Sequence, residues 1–167
     1  MNASSRPRDL ELDEPRYLLG DAAAAAGVNA NLLKSWISRE PNVIVFGAHD
    51  RPALGKGSAR VFTLRRVISI ALAAELVQLG VSALRAGRLA FSVTDAWPAQ
   101  DPLHGDALLV VYPKEPGNLD YDLEPERSNP SLREILGHLP YPAASFVTVS
   151  IGAILKRVKA KLAERGR

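Results

Sequence analysis

The most restrictive feature of this chain is a run of five alanines, Ala22 to Ala26, bracketed by Asp21 and Gly27 and followed closely by Asn29. Alanine is the strongest helix former, Asp21 is a good cap for the helix it opens, and Gly27 suits the left-handed position that ends one. The helix is very short and carries no bulky side chain, so it can pack closely against a neighbour. Asn29 caps a second helix that runs to about Arg39 and is stopped by Pro41. Leu32, Leu33 and Trp36 fall at helical spacing on one face of it, with Asn31, Lys34, Ser35 and Ser38 on others. Two short helices meeting at Gly27-Val28 make a tight turn.

The remaining punctuation divides the chain. Residues 1–16 are polar and without hydrophobic period, which predicts a flexible leader, with order beginning near Tyr17. Asn42 to Phe46 reads as a strand and Arg60 to Phe62 as its partner, joined by a loop with Gly47, Pro52, Gly55 and Gly57 and a basic tip at Arg51 and Lys56. Thr63 caps a helix whose apolar positions, Val67, Ile70, Ala71, Ala74, Leu76 and Val77, leave Arg65, Arg66 and Glu75 more exposed; Gly80 closes it. Ser82 restarts a shorter helix to about Arg88. From Ala90 the pattern changes to short extended runs, Phe91 to Val93, Ala107 to Tyr112 and Ser145 to Ser150, with a boundary near Ala90. Ser131 caps a helix to about Leu136, and Ile151 to Arg165 reads as a closing amphipathic helix with Ile151, Ile154, Leu155, Val158 and Leu162 on one face. The expected class is α+β: a leader at 1–16, a first domain at 17–89, and a small mixed domain at 90–167 that ends in that helix.

Charge is segregated. Residues 1–90 carry 12 Lys+Arg against 8 Asp+Glu, residues 91–150 carry 3 against 9, and residues 151–167 carry 6 against 1. Between Lys34 and Arg88 nine basic residues face three acidic ones, a balance that attracts a polyanion, whereas the middle of the chain repels phosphate. Other classes fall away. The chain has no cysteine, which removes disulfides, thiolate metal sites and a thiol nucleophile and fits a reducing compartment. No secretory signal is visible, and the longest uncharged stretch, Ile135 to Leu155, is broken by His138, Pro140 and Pro142 and is not a membrane span. A cytoplasmic protein is expected. Gly55-Lys56-Gly57-Ser58 lacks the spacing of a phosphate-binding loop, and His49, His104 and His138 are isolated. The alternating Asp120, Asp122, Glu124 and Glu126 could line a cation site on one side of an extended segment, but a solvated acidic strand edge explains them as well, and Pro125 supports it. No catalytic constellation is present, so neither enzyme activity nor a cofactor or metal is expected.

In order, the first ninety residues give helix, tight turn, helix, basic-tipped hairpin and a helix pair, which is a winged helix-turn-helix. Leu19-Gly20-Asp21-Ala22-Ala23, Gly27-Val28 and Leu33-Lys34-Ser35-Trp36, followed by Arg60-Val61-Phe62-Thr63-Leu64 and Leu79-Gly80-Val81-Ser82, resemble the DNA-binding domain of the MerR family of bacterial regulators over residues 17–89. A recognition helix must bury one face and offer short polar or basic side chains to base edges on the other. Leu32, Leu33 and Trp36 are the expected anchors; Asn31, Lys34 and Ser35 the expected groove contacts; Arg39 a phosphate contact. Asn29 is either cap or base contact. Arg51, Lys56 and Arg60 on the wing suit phosphate or the minor groove, with Arg65 and Arg66 as secondary phosphate contacts.

The expected function is a sequence-specific double-stranded DNA-binding transcriptional regulator acting as a homodimer, with the C-terminal half, including the helix from Ile151, making the dimer contact or binding an effector or protein partner. Two alternatives stand beside it. One is a phage-type architectural or DNA-recruitment protein, such as an excisionase or small terminase subunit. The other is an effector-sensing regulator with its ligand site in residues 91–150.

Overall fold

The protein is described from a computed structural model that covers residues 10–47, 49–50, 59–95, 102–104, 107–115, 118–125, 137 and 146–165. Along the chain come α1 (Leu10–Asp13), β1 (Pro15–Leu18), α2 (Leu19–Ala26), α3 (Ala30–Ser38), β2 (Val61–Thr63), α4 (Leu64–Gln78) and α5 (Ala83–Asp95). A single 3-10 turn at Pro102–His104 leads to β3 (Ala107–Glu115), β4 (Asn118–Pro125), β5 (Val147–Ser150) and the closing α6 (Ile151–Arg165). The class is mixed, α+β, with two small antiparallel sheets.

The centre of the fold is α4. Its sequence is apolar almost all the way round, which only a helix surrounded by other elements can tolerate, and twelve of its fifteen residues are buried. Thr63 caps it as expected, its side-chain oxygen accepting from the Arg66 N–H at 3.1 Å. α1, α2, α5 and α6 all pack against it. Gly87 lets α5 approach closely: a Cβ there would collide with the Val43 carbonyl oxygen. Val43 and Ile44 are in turn fixed by their N–H groups donating to the Trp36 carbonyl at 3.0 and 3.2 Å.

The second sheet runs in the order β4-β3-β5, antiparallel throughout, and its faces follow the two-residue period of a strand. Leu109 and Val111 of β3 enter the main core, whereas Val110 and Tyr112 pack with Phe146 on the opposite face. β5 passes directly into α6, where Ser150 Oγ accepts from the Ala153 N–H at 3.0 Å. Ile151, Ile154 and Val158 of α6 then join α2 and α4 in the main cluster.

Four expectations are corrected. Residues 10–16 do not belong to a leader: they form α1 and the start of β1, and Asp13 is buried. β2 pairs with β1, Tyr17 opposite Phe62 and Leu18 opposite Val61, and Asn42 to Phe46 form no strand. Phe91 to Val93 are helical, because α5 runs on to Asp95 and crosses the boundary drawn at Ala90. α2 begins at Leu19, so Asp21 lies in its first turn and the residue before it, Leu18, provides no side-chain cap. The apolar face of α6 packs within the chain, with Ile151, Ile154 and Val158 buried and Leu155 and Leu162 partly buried. The helix expected from Ser131 lies outside the described residues.

Candidate nucleic-acid interface

Gly27 takes φ 76°, where a side chain would be strained, and ends α2 in the expected way: its N–H donates to the Ala24 carbonyl at 3.1 Å and that of Val28 to Ala23 at 2.9 Å. Asn29 then opens α3. Its Oδ1 accepts from the Asn31 N–H at 2.8 Å, so the structure gives it the capping role. The link between the helices is thus Gly27-Val28-Asn29, short enough to hold α3 at a fixed angle on α2.

Leu33 and Trp36 are buried beneath α3 and anchor it as expected. Leu32 does not. It is 44% exposed and faces outward with Asn31, Lys34, Ser35 and Ser38, all exposed. The reason is geometric: Leu32 and Leu33 lie four and three residues before Trp36, and a helix this slender buries one of the two rows. Ser38 Oγ donates back to the Lys34 carbonyl at 2.9 Å. Arg39 follows in extended conformation, exposed.

The electrostatics around α3 come from pairing elsewhere. Between residues 10 and 90, Glu11 pairs with Lys159, Asp13 with Arg65, Glu14 with Arg16, Asp21 with Arg165, Asp50 with Arg66 and Glu75 with Arg157. Glu40 alone of these carboxylates has no ion pair among the described residues. Three of the partners come from α6, so the basic tail covers acids of the first half. Exposed ion pairs add little stability, but they remove negative potential that would oppose a polyanion. Lys34 and Arg39 carry no ion pair among the described residues. The Lys161 amine, on α6, lies 3.7 Å from where a Cβ on Gly27 would sit, placing a cation at the negative end of the α2 dipole.

Arg65 and Arg66 are corrected outright. Arg65 is 3% exposed, its Nε 2.5 Å from Asp13 Oδ1 and its Nη1 donating to the Thr94 carbonyl at 2.8 Å. Arg66 is 1% exposed and bridges Asp50, at 2.8 Å, and Asp95, at 2.7 Å. Neither reaches a phosphate. Asp50 Oδ2 also accepts from the Gly47 N–H at 2.6 Å, so Arg66 fastens the segment at Gly47 and Asp50 to α4 and α5. Arg60, just before β2, lies half-buried with its guanidinium 4.0 Å over the Phe46 ring. Arg51 and Lys56 lie outside the described residues.

A second feature stands apart. An open cleft of about 400 Å³ separates the α4–α5 turn from the three-stranded sheet, with Leu79, Val81 and Arg85 on one side and Val111, Leu119 and Phe146 on the other. Among the described residues no group of His, Cys, Asp or Glu is arranged to hold a metal ion, and no helix is long and apolar enough to cross a membrane. No family model and no curated protein matches this chain.

Proposed function

We propose that the chain is a sequence-specific double-stranded DNA-binding transcriptional regulator, a helix-turn-helix protein of the MerR-like kind that acts as a homodimer. The observation that carries this reading is the outward face of α3: Asn31, Lys34 and Ser35 exposed in adjacent rows of a helix whose other face is fixed by Leu33 and Trp36. Asn suits the N6 and N7 edge of adenine and Lys the O6 and N7 edge of guanine, while Arg39 meets the backbone. The likeness of residues 17–89 to the MerR family supports the same reading. A helix of nine residues touches few base pairs, so two-fold pairing on a roughly palindromic site supplies the remaining specificity. Selection of duplexes from a randomised library by the full chain tests it. The expected result is enrichment of a repeated half-site; recovery of unenriched sequence contradicts it.

The cleft favours an effector-sensing form of this regulator. Its size is within the range of small-molecule sites, its lining is apolar, and Ser82 and Arg85 supply polar groups at one side. Because the α4–α5 turn forms one wall, a ligand there would tie the sheet to the helix that supports the α2–α3 pair. A ligand-dependent rise in melting temperature, abolished by Phe146→Ala, is the expected result of a screen of small apolar acids. No shift with any of them rejects it.

A further inference from the structure

The outward face of α3 carries one side chain that no polar reading of a groove uses. Leu32 is 44% exposed in the first turn of the helix, beside Asn31 and one turn before Ser35, while its neighbour Leu33 is fully buried. Leu32 neither donates nor accepts a hydrogen bond, and covering its apolar surface against a partner would be favourable. Among base edges in the major groove the one apolar group is the C5-methyl of thymine. The same turn holds Asn31, whose amide suits adenine, so the first turn of α3 displays the chemistry of both halves of an A·T pair in successive side chains.

We infer that Leu32 is a specificity-determining residue that packs on the C5-methyl group of a thymine adjacent to the adenine read by Asn31. The inference rests on the DNA-binding reading and deepens it. It assigns to each half-site one position at which the protein distinguishes thymine from uracil, a discrimination that Asn31, Lys34 and Ser35 cannot make because the two bases offer the same hydrogen-bonding edge.

The test uses the full chain and a duplex enriched from a randomised library. Each thymine in the half-site is replaced in turn by deoxyuridine, which removes the methyl group and nothing else, and affinity is measured by fluorescence anisotropy. One position is expected to weaken binding by about fourfold, the effect of losing one buried methyl group. Leu32→Ala, on an exposed site, is expected to bind the thymine and uracil duplexes equally. Equal affinity of the unaltered chain for both duplexes at every position overturns the inference and leaves the DNA-binding reading intact. Retention of the thymine preference by Leu32→Ala also overturns it, by assigning the methyl contact to another residue. Loss of dimers in light scattering with Leu32→Ala, together with no thymine preference in the unaltered chain, gives Leu32 to a protein contact. Failure to enrich any duplex removes the DNA-binding reading itself, and this inference with it.

Discussion

Lys34 and Arg39 at α3, and Arg65 and Arg66 at the start of α4, are four basic residues of one short sequence segment that end in opposite environments. The first two stand in solvent without ion pairs among the described residues. The second two are buried and meet Asp13, Asp50 and Asp95. Positive charge in a sequence therefore reports two different things here: a solvent-exposed helix face at α3, and internal fasteners at α4. What separates them is the presence of distant carboxylates. An arginine carried into a core is tolerated only with its charge matched and its donors filled, and both guanidiniums meet that condition.

The difference can be broken by mutation. Arg66→Ala leaves the partly buried Asp50 and Asp95 without their shared cation, and it is expected to lower stability by about 3–5 kcal/mol in urea unfolding. A loss within about 0.5 kcal/mol, the ordinary range for surface sites, would return Arg66 to the surface class. Gly87→Ala drives a methyl group into the Val43 carbonyl that follows α3, at an expected cost of about 1–3 kcal/mol by the same measurement. Asn29→Ala removes the α3 cap and is expected to cost about 1 kcal/mol. Lys34→Ala has the smallest effect on stability, within about 0.5 kcal/mol, yet is expected to reduce discrimination between enriched and random duplexes by about 1–3 kcal/mol. Destabilisation by Lys34→Ala with unchanged discrimination would erase the contrast between the two helices.

Local signals are legible in the sequence and long-range pairing is not. Gly27, Asn29 and Thr63 announce helix ends through chemistry confined to a few residues, and all three do what their types suggest. Leu33 and Trp36 are readable from spacing, whereas Leu32 is not, because period alone cannot choose between two adjacent rows on a narrow helix. β1 and β2 are too short to show alternation, and their partnership joins Tyr17 to Phe62, which no local pattern encodes. Arg65 and Arg66 read as exposed because charge usually marks solvent. Their partners lie far away in sequence, Asp13 before β1 and Asp95 at the end of α5. The cleft depends likewise on the packing of a turn against a sheet.

The most direct measurement compares the salt dependence of duplex binding by the full chain and by the Lys34→Ala, Arg39→Ala double variant. Binding of the unaltered chain is expected to weaken steeply between about 50 and 200 mM salt, with the slope of log affinity against log salt reduced by about one in the variant, for the phosphate contact of Arg39, and discrimination between duplexes lost with Lys34. No binding by the unaltered chain at low salt, or one slope shared by both proteins, would contradict α3 as the surface that meets DNA.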